Sequence, residues 1–145
     1  MTQKTVLLID DEQGFLEALA DALEHEGHRV LKAVTAEDAL RVLKQETVHL
    51  ATVDIMIPPG QSLENQTTSQ DAGIMLCETI TQQYPNLDLF CLSVVSDHDV
   101  IYRVQSLGVR FLRKGETPLR TILNMIRSRL TGIAYTTERP DGGRR

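Results

Sequence analysis

The sequence is poor in the features that mark several large protein classes. No apolar run approaches the length of a membrane span, and Val6 to Ile9 is too short for a secretory signal and has no cleavage site after it. There are only two cysteines, Cys77 and Cys91, both inside apolar segments, so the expectation is a pair of small core residues in a reducing cytoplasm rather than a disulfide framework. Fifteen basic residues face twenty acidic ones, for a net charge of −5. No basic stripe occurs apart from the terminal "GGRR", which argues against a nucleic-acid surface. No internal repeat is present. What is left is 145 residues with 41% hydrophobic and 24% charged content, as expected for one cytoplasmic globular domain with a full core.

Short apolar runs alternate with helical patterns along the chain. The runs are Val6 to Ile9, Arg29 to Val34, Leu50 to Val53, Leu87 to Leu92 and Val109 to Leu112. Several are near-continuous, as in parallel strands covered on both faces. The first helical pattern places Phe15, Leu16, Leu19 and Leu23 on one side, and Gly27 fits its C-terminal cap, so "EHEGH" reads as a helix end rather than a metal cluster. Thr35 opens a capping box with Asp38. A third helix is expected from about Gly73 to Tyr84, stopped by Pro85. A fourth is expected to open at Ser96, and a fifth to use Thr117 as N-cap with Pro118 in the first helical position. Five strand-helix units in alternation predict an open α/β sheet with helices on both faces. The expected domain is 1–132, with a polar, turn-rich insertion at 59–70 and a disordered tail at 133–145.

In such sheets ligands bind beyond the carboxyl ends of the strands. The first run ends on Asp10 and Asp11, the third on Asp54, the fourth on Ser93 and the fifth on Lys114. Each has an ordinary explanation when taken singly, but four strand ends converging on carboxylates, a hydroxyl and an ammonium form one rim. Clustered carboxylates are hard oxygen ligands suited to Mg²⁺, and the Lys and Ser suit an anion held beside the metal.

Over roughly residues 4 to 131, this ordered set resembles the receiver domain of the two-component response-regulator family. The resemblance implies a flavodoxin-like sheet of strand order 2-1-3-4-5. It implies Asp54 as the phosphoacceptor, with Lys114 and Ser93 assisting, and a Mg²⁺ site made by Asp10, Asp11, Asp54 and the main-chain carbonyl of Met56. Ser93 and Phe111 would be the switch residues. The implied partners are a sensor histidine kinase or histidine phosphotransfer protein, and a downstream protein reading the fourth helix, fifth strand and fifth helix. Neither nucleic acid nor membrane is implied. Such a protein is not an enzyme beyond promoting its own phosphorylation and dephosphorylation. Met56 and Val95 would flank the path of the hydrolytic water.

Two positions depart from the family pattern: Gly115 follows Lys114 where Pro is usual, with a trans bond expected, and Val94 stands where Ala or Gly is favoured. A stand-alone receiver is the expectation, because little follows the last helix. The alternative is a pseudo-receiver acting as a phosphorylation-independent interaction module. A phosphatase of the haloacid-dehalogenase type would need an Asp two residues past its nucleophile, where Met56 stands.

Overall fold

A computed structural model describes residues 3–61 and 69–132. Five strands and five helices alternate: β1 (Thr5–Ile9), α1 (Gln13–His25), β2 (Arg29–Ala33), α2 (Ala36–Gln45), β3 (Leu50–Val53), α3 (Ser69–Gln83), β4 (Asp88–Ser93), α4 (His98–Ser106), β5 (Arg110–Arg113) and α5 (Leu119–Thr131). The strands form one parallel sheet in the order β2-β1-β3-β4-β5. This is the architecture that the alternation predicts and the strand order that the family resemblance implies.

Alternation along each strand divides the core in two. Leu7 and Ile9 of β1, with Ala51, Val53 and Cys91, pack beneath α2, α3 and α4. Val6 and Leu8, with Leu50, Phe90 and Leu92, pack beneath α1 and α5. Nearly every residue of β1 and β3 is therefore buried, which is why these runs read as continuous rather than alternating. Full burial of a Leu or Ile side chain contributes roughly 1.5–3 kcal/mol, so these two layers are the main source of stability. Cys77 and Cys91 are both free and buried in the first layer.

Two of the expected helix ends form as their local chemistry predicts, and two are displaced by a neighbouring residue. Thr35 Oγ1 accepts from the Asp38 N–H at 3.0 Å, as the capping box requires. After α1 the Gly27 N–H bonds to Glu24 O and the His28 N–H to Leu23 O, with Gly27 at φ +93°, the left-handed turn that ends many helices. The N-cap of α4 is Asp97 rather than Ser96, because Asp97 Oδ1 reaches the Asp99 and Val100 N–H groups. α5 begins at Leu119 with Pro118 as its cap, and Thr117 instead pairs with Lys114 in an isolated bridge.

α3 starts at Ser69, four residues before Gly73, so the last two residues of the expected 59–70 insertion are helical. Residues 62–68 and the expected tail at 133–145 lie outside the described residues. Gly73 lies in the first turns of α3, where a Cβ would come within 2.0 Å of the Ile55 carbonyl oxygen. Only glycine lets the helix approach the chain just after Asp54 so closely. The other end of that connection is also fixed: the Pro58 and Pro59 carbonyls accept from the Ala36 and Glu37 N–H groups at 2.8 and 3.0 Å, tying the segment to the start of α2.

Candidate functional site

Sheet hydrogen bonding continues one residue past the strands and so sets the positions of the rim. The Asp10 N–H donates to Ala33 O, the Asp54 N–H to Ile9 O and the Lys114 N–H to Ser93 O, each at 3.0 Å. Backbone geometry therefore carries Asp10, Asp54 and Lys114 to the carboxyl ends of β1, β3 and β5.

There the side chains converge. Lys114 Nζ lies 2.7 Å from Asp10 Oδ2, 3.0 Å from Glu12 Oε1 and 3.2 Å from Asp54 Oδ2. The side chains of Lys114, Asp10 and Asp54 are 8%, 3% and 8% exposed, so these charges are largely withdrawn from water. The second oxygen of each buried acid is held by its own loop: Asp10 Oδ1 accepts from the Glu12 N–H at 2.9 Å and Asp54 Oδ1 from the Met56 N–H at 3.0 Å. Asp11 is exposed beside them. Carboxylate oxygens of Asp10, Asp11 and Asp54 all come within 4.8 Å of one another, close enough to share one ion.

Burial pushes the Asp10 carboxyl above its ordinary value, against the Lys114 and Glu12 hydrogen bonds, and the charge of Asp54 adds to the rise. For Lys114, burial acts to lower the ammonium's value. The hydrogen bonds that Lys114 donates to Asp10 and Glu12 and the charges of Asp54 and Asp10 outweigh it, so Lys114 is held above an ordinary lysine. The ammonium is thus firmly charged, yet one cation serves three carboxylates. The surplus negative charge, carried on hard oxygen donors, fits a divalent ion of the Mg²⁺ type.

Ser93 is fully buried, and its hydroxyl accepts from the Val95 N–H at 3.3 Å. Phe111 is half-buried against the layer beneath α2, α3 and α4. Met56 is 40% and Val94 66% exposed at the rim, so Val94 projects into solvent. Among the described residues there is no cis peptide; Lys114–Gly115 is trans, with Gly115 at φ +90°.

Two contributors escaped the sequence reading. Glu12 was visible as the third acid of "DDE", but nothing local shows that it meets Lys114. Phe15 shows in the sequence only as part of a helix face, yet the Lys114 ammonium sits 4.6 Å from its ring centroid.

Both the sequence and the fold match known proteins. The model of the response regulator receiver domain matches residues 6–127. The response regulator GtcR of Aneurinibacillus migulanus is 32% identical over 120 residues, 82% of this chain and 45% of that protein. The transcriptional regulatory protein YvrH of Bacillus subtilis (strain 168) is 31% identical over 97 residues, 66% of this chain and 36% of that protein. The chain therefore spans less than half the length of these curated relatives. Among solved structures, a CheY-like receiver domain protein of Methanospirillum hungatei JF-1 superposes with TM-score 0.75 at 22% identity, covering 91% of this chain and 97% of that one. A response regulator of Burkholderia pseudomallei, solved with a phosphorylated aspartic acid, a calcium ion and citrate, gives TM-score 0.68 at 21% identity, covering 90% and 71%. Among the described residues no helix is long and apolar enough to cross a membrane. The chain belongs to the response regulator receiver domain family.

Proposed function

We propose that this domain accepts a phosphoryl group on Asp54 from the phosphohistidine of a sensor kinase or histidine phosphotransfer protein in the cytoplasm. The observation that carries the reading is the position of Asp54: a nearly buried carboxylate with Oδ2 3.2 Å from Lys114 Nζ, sharing a rim with Asp10 and Asp11. The phosphorylated aspartic acid in the Burkholderia structure supports it.

The chemistry follows from what each residue can do. The Met56 N–H holds Asp54 Oδ1 and so orients the carboxylate. An Asp54 oxygen attacks phosphorus as the P–N bond breaks and the imidazole leaves, giving an acyl phosphate. Lys114, already charged and already beside Asp54, pairs with the phosphoryl oxygens. Asp10, Asp11, Asp54 and the Met56 carbonyl would hold Mg²⁺, which when bound supplies positive charge against the incoming phosphoryl group.

The added oxygens are new acceptors for the Ser93 hydroxyl proton. As the side chain turns towards them its oxygen moves away from the Val95 N–H, and the β4–α4 connection loosens. Phe111, half-buried beside this connection, follows, and the surface of α4, β5 and α5 reports the change to a downstream protein.

The test is incubation with a small-molecule phosphodonor and Mg²⁺, read by intact mass. One added phosphoryl group, absent in Asp54→Asn, is expected. No adduct under conditions that label other receivers would favour the phosphorylation-independent interaction module.

A further inference from the structure

At the opposite pole from the acidic rim, the amino-terminal ends of β1, β3 and β4 meet the last turns of α2, α3 and α5 around a cavity of about 630 Å³. Ligand sites commonly span about 300–1,000 Å³ and combine apolar walls with a few converging polar groups. Leu43, Val48, Tyr84, Pro85, Leu87 and Leu130 supply the apolar walls.

The polar lining is biased towards donors. Lys4, which is half-buried, and Lys44 have no ion-pair partner among the described residues, and the Tyr84 hydroxyl has no hydrogen bond there. His49 Nδ1 accepts from the Thr5 N–H at 3.0 Å, which leaves Nε2 as the protonated, donating nitrogen. Both acids of the lining are already matched to arginines: Glu46 Oε1 lies 2.6 Å from Arg29 and Asp88 Oδ1 3.0 Å from Arg129. In a chain of net charge −5, this pole therefore carries two uncompensated ammonium groups next to an imidazole and a phenol.

We infer that this cavity binds a small organic anion, a carboxylate or phosphate head on a flat apolar body. The head meets Lys4 and Lys44, with Tyr84 and His49 as neutral donors, and the body lies on the apolar wall. The site is separate from the phosphoacceptor rim, so it stands or falls independently of phosphotransfer.

The test uses the full chain and amide NMR shifts, with phenyl phosphate and benzoate as probes and benzyl alcohol and benzamide as uncharged counterparts. The anions should move the amides of Lys4, Lys44, His49 and Tyr84 and leave the Asp10–Asp54 rim unmoved. Lys4→Gln and Lys44→Gln keep most of each stem and remove the charge, and the same spectra verify that they fold. Each should weaken anion binding roughly tenfold, as loss of one charge-assisted hydrogen bond does. No shift at this pole, equal shifts from the uncharged probes, shifts only at the rim, or unchanged binding by both variants would overturn the inference.

Discussion

Lys114 Nζ and Asp10 Oδ2 stand 2.7 Å apart although their residues are separated by 104 positions, and both side chains are almost fully buried. The ammonium sits nearer to Asp10 than to Asp54, so it offsets the charge that a metal held by these acids would otherwise offset. Lys114→Met should therefore destabilise the protein in chelator by about 3 kcal/mol, the scale for removing one partner of a buried pair. Mg²⁺ should restore part of that loss. Denaturant melts with and without Mg²⁺ measure both effects; equal loss in the two conditions would mean that Lys114 and the metal do not share the same acids.

Gly73→Ala places a Cβ against the Ile55 carbonyl, where only 2.0 Å is available. The neighbour is backbone and cannot rotate away, so a loss of at least about 2 kcal/mol is expected. The displaced Ile55 adjoins Asp54, and phosphodonor labelling should slow as well. A variant with wild-type stability and labelling would show that α3 can retreat freely.

Gly60 lies at φ +102°, and a Cβ there would meet Glu37 Cβ at 2.7 Å. Gly60→Ala is expected to cost about 1–2 kcal/mol from the left-handed backbone and the contact together. It should also raise amide exchange at Ala36 and Glu37, whose N–H groups bond to Pro58 O and Pro59 O. Unchanged protection of these two amides would mean that the Pro58–Gly60 segment is not what caps α2.

Much of this arrangement was legible because its signals are local. The apolar runs end on Asp10, Asp54, Ser93 and Lys114, and strand geometry turns that pattern into a common rim. Thr35 and Asp38 lie three residues apart, and their bond follows from spacing alone. The misreadings occurred where two local solutions competed. Ser96 and Asp97 are adjacent cap candidates, and the better acceptor reaching two N–H groups prevailed. Thr117 was taken up by the bridge to Lys114, moving the start of α5 to Leu119. Gly73, expected at the start of α3, lies one turn inside it, where its missing side chain serves close packing. The contacts of Glu12 and Phe15 with Lys114 depend on tertiary approach and leave no trace in spacing.

The lifetime of the phosphoryl group should be long. Met56, 40% exposed, and Val95, half-buried, offer no side-chain group that could orient an attacking water. Met56→Asn combined with Val95→Glu should speed phosphate release at least about tenfold, at the modest end of general acid–base effects. Release of inorganic phosphate after removal of the donor measures this, and an equal or slower rate in the double variant would reject the role given to these two positions.

Asp54, not Asp10 or Asp11, should carry the acyl phosphate. Borohydride reduces an acyl phosphate on aspartate to homoserine, which peptide mass spectrometry locates by residue. After phosphorylation with Mg²⁺ and a phosphodonor, homoserine is expected at position 54 with Asp10 and Asp11 intact. Homoserine at position 10 or 11, or at no position in phosphorylated protein, would contradict the account.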